Sequence, residues 1–289
     1  MDNRDEVRQF LASRRARITP EQAGLPQYGG SRRVPGLRRA EVALLAGVSP
    51  DYYVRLERGN LTGVSDTVLE AVARALRLDD AERSHLHDLA RAANARPRAH
   101  RRPARQQVRP AVQQLLDAMT DAPAFVRNGR LDVLAINPLG QALYSPAFAG
   151  PQRPVNLARF CFLDPAAEDY YPDWDDAAST TVALLRTEAG RDPYDKALTD
   201  LVGELVTRSD AFRTLWATHN VRLHHTGVKH FRHPVVGLLG LGFEAMPLPA
   251  DPGLTLTAYH AEPGSPSQDG LRLLASWAAT GAPGPAGRS

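Results

Sequence analysis

Through the first third of the chain, apolar residues recur three and four positions apart, the spacing of one helix face. Residues 1–6 are polar and are expected to be loose. Phe10 and Leu11 place a first helix over residues 7–15. Residues 19–36 carry Pro20, Gly24, Pro26, Gly29, Gly30, Pro35 and Gly36 and read as a long loop. Arg32 and Arg33 sit in it, either solvated or against a nucleic-acid backbone. Two short helices follow, over residues 38–46 and 50–58. Gly47 ends the first with a positive φ that glycine adopts cheaply. Ser49 offers an N-cap oxygen, and Pro50 suits the first helical position, where no N–H is needed. Val48, Tyr53 and Leu56 fall on one side and pin the second helix to a core. Asp51, Val54, Arg55 and Arg58 fall on the other. Ser65 caps a fourth helix with Leu69, Val72 and Leu76 inward. Asp79 and Glu82 open a fifth with a reciprocal capping pattern, and Leu86, Leu89 and Ala93 face in. Five helices make a complete all-α domain over residues 1–95.

Residues 96–107 hold arginines and prolines without an apolar face, the composition of a basic linker. Beyond it the periodicity becomes mixed. Val112, Leu115, Leu116 and Met119 predict a helix. Residues 125–127 and 131–136 read as a hairpin, since Asn128-Gly129 favours a two-residue turn. Residues 137–144 look helical, and an aromatic-rich irregular stretch covers 160–174. Helices are expected over 176–189 and 195–208, then a short one carrying Phe212, Leu215 and Trp216. Strands are expected at 221–225, 235–244 and 254–260, a closing helix at 268–279, and a disordered tail at 281–289. An antiparallel sheet with helices on one face makes residues 108–280 an α+β domain.

Charge separates the two halves. Residues 1–107 hold 20 arginines, no lysine and 13 acids, a net of +7, whereas residues 108–289 hold 15 basic residues and 19 acids, a net of −4. The basic half is the one suited to a polyphosphate partner. Codon bias accounts for arginine over lysine but not for the asymmetry. The single cysteine, Cys161, excludes an internal disulfide, the N-terminus lacks a signal-peptide pattern, and no apolar run is long enough to span a membrane. The expectation is a soluble cytoplasmic protein.

The run "RRARITPEQAGLP" (14–26) followed by "RRVPGLRRAEVALLAGVSPDYYVRLERG" (32–59) resembles one bacterial subgroup of the phage-repressor-like (XRE) helix-turn-helix proteins. Further on, "VLAINPLGQALY" (133–144), "NLARFCFLDP" (156–165), "LLRTEAGRDPYD" (184–195) and "AEPGSPSQDGLRLLASW" (261–277) extend the likeness over nearly the whole chain. The chain is similar to the MmyB-like transcription regulators. That resemblance implies an all-α helix-turn-helix domain joined to an α+β PAS-like ligand-binding domain, with long-chain fatty acids or similar lipids as the ligand class.

Candidate contacts follow from side-chain chemistry. Arg55 on the second helix matches guanine O6 and N7, Asp51 matches cytosine N4, and Val54 matches a thymine methyl. Arg39 suits phosphate, as does the helix N-terminus near Ser65, and Arg38, Ser49, Pro50 and Arg58 are further candidate DNA contacts. Glu57 is expected to be structural, pairing with an arginine of the first helix. Phe125, Asn137, Phe160, Phe162, Trp174, Phe212 and Trp216 are candidates to line an apolar cavity, with Arg186 or Arg213 for a carboxylate headgroup. His224, His225, His230 and His233 match no familiar zinc spacing and read as surface or turn histidines. Cys161 reads as a small buried apolar residue. No nucleophile elbow, phosphate-cradling loop or paired carboxylates emerge, so neither enzyme nor cofactor is expected.

The expected whole is a homodimeric transcription regulator that binds double-stranded DNA at a near-palindromic operator and senses a small apolar ligand, a fatty acid by resemblance. The rival is a DNA-binding regulator whose second domain only dimerises or docks a protein. The two differ in whether that domain contains a cavity.

Overall fold

The computed structural model describes residues 3–25, 36–95, 107–221 and 225–280. Arg32 and Arg33, most of the 96–107 linker, His224 and the 281–289 tail lie outside the described residues. By contacts the chain forms two compact units.

The first unit contains α1 (Asn3–Arg17), α2 (Arg39–Ala46), α3 (Pro50–Glu57), α4 (Asp66–Ala75) and α5 (Asp80–Asn94). The described residues within 186–203 and 213–223 also belong to it. Gly47 ends α2 at φ 67°, and its N–H reaches back to the Leu44 carbonyl. Ser49 Oγ accepts from Tyr52 N at 3.2 Å, so α3 starts where expected. Asp79 and Glu82 cap α5 reciprocally, at 2.8 and 3.2 Å. Phe10, Leu11, Val42, Tyr53, Leu56, Val72 and Leu89 fill one core, joined by Val221.

α1 starts well before residue 7. Its first turn is held by polar contacts that a hydrophobic pattern does not register. Asn3 Nδ2 donates to the Leu89 carbonyl at 3.2 Å, and Glu6 is buried. Arg186 Nη1 donates to Glu6 Oε1 at 2.5 Å, and the His219 and His85 rings lie 3.6 and 3.7 Å from the same oxygen. Burial opposes ionisation of Glu6, but His219, His85 and the charge of Arg186 outweigh it and hold the carboxyl well below the usual carboxylate range. Burial, partly countered by Glu6, pushes the His85 imidazole below its ordinary 6.5. The unfolded chain therefore takes up this proton more readily than the folded one. Stability from His85 is complete above pH 6.5 and declines as pH falls below it. Urea midpoints are expected to be lower at pH 5.5 than at pH 7.5, with a smaller gap in His85→Gln.

The second unit opens with α6 (Pro110–Ala118), β1 (Ala124–Asn128) and β2 (Val133–Ile136). The helices α7 (Pro138–Leu143), α8 (Ser145–Phe148), α9 (Leu157–Leu163) and α10 (Ala166–Tyr170) follow. α11 (Trp174–Arg191), α12 (Lys196–Arg208) and α13 (Asp210–Trp216) each run partly in one unit and partly in the other. β3 (Thr226–His233), β4 (Gly237–Pro247), β5 (Leu254–His260) and α14 (Pro266–Ala279) complete the chain. The sheet order is β2-β1-β5-β4-β3, antiparallel throughout. This is the PAS-like α+β arrangement.

Two expectations are corrected here, and a third falls largely outside the described residues. Asn128-Gly129 does not make a two-residue turn. Asn128 N bonds the Asp132 carbonyl and Leu131 N the Asn128 carbonyl, so three residues lie between, with Leu131 at φ 66°. Asn128 Oδ1 accepting from Asp132 N closes the wider loop. The stretch 160–174 is not irregular but contains α9 and α10; Asn156 Oδ1 caps α9 through Arg159 N at 2.9 Å. The strand expected at 221–225 lies largely outside the described residues, and β3, which was not expected, starts at Thr226. Lys229 and His233 share its inward parity with Phe231, so polar residues break the alternation that marks a half-buried strand.

Candidate DNA-binding and ligand-binding sites

α3 presents two faces. Tyr53, Leu56 and Glu57 are buried, whereas Asp51, Arg55 and Arg58 are exposed and Val54 is half-buried. The Arg55 guanidinium lies 4.7 Å above the Tyr52 ring, which stiffens a long side chain without occupying its hydrogen-bond donors. Glu57 anchors the inner face. Arg15 of α1 donates to it through Nε and Nη2, both at 2.9 Å, and Arg39 of α2 through Nε at 3.0 Å. Arg39 is thus held at one nitrogen while its side chain stays 55% exposed. Arg38 is exposed, and its backbone N–H donates to Glu41 at 2.6 Å. Ser49, Pro50 and Ser65 are exposed at the starts of α3 and α4, where Ser49 and Ser65 cap with their side chains. The outward set therefore lies on α3 and on the N-termini beside it.

In the second unit a cavity of about 80 Å³ lies between the sheet and α11. Phe125, Tyr144, Tyr171, Phe243 and Tyr259 supply its aromatic wall. Tyr144 and Tyr259 share a hydrogen bond of 2.6 Å between their hydroxyls. Burial pushes the Tyr259 phenol up to about 12. Lys229 and Arg127 enter from β3 and β1, and Thr180, Thr181 and Thr257 add hydroxyls. Burial draws the Lys229 ammonium down to about 8. Asp173 and His230 pair at 2.7 Å on the exposed rim.

Of the residues nominated from sequence, Phe125 lines this cavity and the others do not. Asn137 is structural. Its Oδ1 accepts from Ala124 N and Gly140 N, and its Nδ2 donates to the Met119 and Ala122 carbonyls, joining β1 to α7. The Phe160 ring packs edge-on against Tyr170 and Tyr171, and Phe162 against Trp174 and Phe212. Trp174 Nε1 donates to the Cys161 carbonyl at 3.0 Å. Arg186 is corrected outright. It is buried in the first unit against Glu6, with its guanidinium 4.1 Å over Trp216, so neither residue is available to a ligand in the cavity. Arg213 is exposed and does not line it either. The residues missed, Lys229, Arg127 and the tyrosines, lie on strands and helix ends whose facing depends on register.

His233 is not a surface residue. It is buried, with Nε2 3.0 Å from the Ala142 carbonyl and Nδ1 accepting from Val235 N. Cys161 is buried, and burial pushes its thiol up to about 11, away from the reactive thiolate. Among the described residues no three His, Cys, Asp or Glu side chains converge on a metal position, and no helix is long and apolar enough to cross a membrane.

A helix-turn-helix with an outward arginine helix, followed by a PAS-like domain with a cavity beside its sheet, defines a DNA-binding regulator with a ligand-binding domain. Residues 6–86 match the family model of a helix-turn-helix domain. Residues 108–274 match that of the MmyB-like transcription regulator ligand binding domain, and the chain belongs to the MmyB-like transcription regulators. No curated protein matches the chain at a significant level.

Proposed function

We propose that the protein is an XRE-type, sequence-specific regulator that acts in the cytoplasm as a homodimer, with residues 1–95 binding DNA and residues 108–280 sensing a small amphipathic molecule, a fatty acid being the ligand class. One observation carries the DNA reading. α3 buries Tyr53, Leu56 and Glu57 and leaves Asp51, Val54, Arg55 and Arg58 on the opposite side. In this reading Arg55 contacts guanine, Asp51 cytosine and Val54 a thymine methyl, while Arg38, Arg39, Arg58 and the N-termini at Ser49, Pro50 and Ser65 hold phosphates. Two such helices in a dimer meet successive major grooves about 34 Å apart, which calls for a near-palindromic operator.

The cavity supports sensing over mere docking. At about 80 Å³ it has room for a polar head and a few carbons. α11 offers a route for the signal. Asp176, Ala177, Thr180, Thr181 and Leu184 line the cavity, and Arg186 on the same helix holds Glu6 of α1. A ligand biases DNA binding through this helix only if it binds the two states with different affinity.

Gel-shift titration against operator and random DNA tests the assignment. Arg55→Ala is expected to lose about 1–3 kcal/mol of discrimination with little change on random DNA. Arg39→Ala is expected to weaken binding to both and flatten the salt slope by about one. Equal losses on both DNAs for Arg55→Ala reject the guanine contact.

A further inference from the structure

The inward face of β3 carries a cation without a counter-charge in contact. Lys229 sits between Leu241 of β4, its ladder partner, and the cavity, with Nζ 4.3 Å above the Tyr171 ring and 5.6 Å from that of Phe231. Among the described residues its ammonium has no hydrogen bond and no ion pair. Asp176, an exposed residue of α11, acts on it as an opposite charge without touching it, while Arg127 adds a second positive charge from β1. A half-buried lysine whose ammonium meets aromatic faces and no charged partner loses hydration that nothing fully replaces. Two cations lining one cavity compound that cost, because each disfavours the other. An anion bound in the cavity offsets the cost at Lys229. The rest of the lining fits an anion on an apolar body. Thr257 and the Tyr144–Tyr259 hydroxyl pair offer donors, and the Phe125 and Phe243 rings surround the remainder.

We propose that Lys229, seconded by Arg127, is the anchor for a carboxylate at one end of the ligand, and that it sets the preference of this domain for acids over neutral amphiphiles. This rests on the ligand-sensing reading above and adds which residue selects the headgroup. Lysine suits the role as a compact point charge able to follow a carboxylate, and bringing the charges together in a low-dielectric pocket strengthens the contact.

Isothermal titration of the full-length protein with octanoate and with octanamide, its neutral isostere, tests the anchor. Wild-type protein is expected to favour octanoate by about tenfold or more, the effect of a charge-assisted hydrogen bond. Lys229→Met is expected to abolish that preference, bringing the ratio of octanoate to octanamide affinity to about one, and Lys229→Arg to restore most of it. An octanoate preference that survives in Lys229→Met overturns the proposal. So does equal binding of the two probes by wild-type protein, a comparison that needs no variant to fold, and that result leaves the ligand-sensing reading standing. Failure of both probes to bind wild-type protein overturns the anchor and counts against a fatty-acid-like ligand as well.

Discussion

Replacing Arg186 with methionine is expected to destabilise the folded chain by about 3–5 kcal/mol, read as a shift of the urea midpoint at pH 7. The arginine is fully buried, its Nη1 lies 2.8 Å from His219 Nδ1, and its guanidinium is used in three further ways. It donates to Glu6 at 2.5 Å, it donates to the Trp216 carbonyl, and it stacks on the Trp216 ring. Methionine fills much of the volume but supplies no donor and no charge. Glu6 is then left as a buried carboxylate beside two imidazoles, of which burial keeps His85 neutral. The uncompensated charge, more than the lost attraction, makes the change costly. Two further outcomes follow from that cause. In Arg186→Met, Glu6 takes up a proton at higher pH, so the variant loses less stability than wild type between pH 7 and pH 4. Adding Glu6→Gln recovers part of the loss, because the second change removes the stranded charge. A double variant no better than the single one assigns the effect to packing around Trp216 instead.

Glu57→Ala is expected to cost about 2–4 kcal/mol and to abolish specific DNA binding while the second unit still folds. Glu57 is 2% exposed, and its two oxygens are shared by Arg15 from α1 and Arg39 from α2. It therefore ties three helices at one point on the inner side of α3. The figure is discounted from that of a fully buried pair because Arg39 is largely solvated and Arg15 partly so. Removing the carboxylate releases both arginines and the fixed tilt of α3, and base contacts tolerate little misplacement. Arg39→Ala provides the contrast. It leaves the Arg15–Glu57 pair intact and is expected to cost under about 1 kcal/mol of stability. Comparing thermal unfolding with operator affinity for the two variants separates support of the recognition helix from contact with phosphate. Unchanged operator specificity in Glu57→Ala rules out the supporting role.

Local chemistry makes the helix-turn-helix legible in the sequence. Gly47, Ser49, Pro50, Ser65 and the Asp79–Glu82 pair act on backbone groups within a few residues of themselves, so their meaning travels with the sequence. The facing of α3 followed from helical period alone, and Glu57 from an acid on a buried stripe. The α+β class of the second domain was legible in the same way, because β4, β5 and α14 keep clean periodicities and are punctuated by Pro252-Gly253 and a Ser265 cap.

The cavity proposed as the ligand site was not legible, and the reason is physical. Aromatic residues near 160–174 look alike in sequence whether they pack on each other or face a void. Phe160, Phe162 and Trp174 are satisfied by neighbouring rings, while Tyr144, Tyr171 and Tyr259 reach the cavity. Arg186 lies on the same helix as cavity-lining residues, yet its orientation sends it to Glu6, 180 positions away in the chain. Lys229 became visible as a site residue only once β3 was in register with β4, which turns the lysine inward with Phe231. Capping, helical facing and charge asymmetry are short-range or summed properties, and the sequence by itself determined them. Which buried charges meet, and which stay unpaired around a cavity, depends on side chains distant in the chain, so the tertiary structure alone decided that.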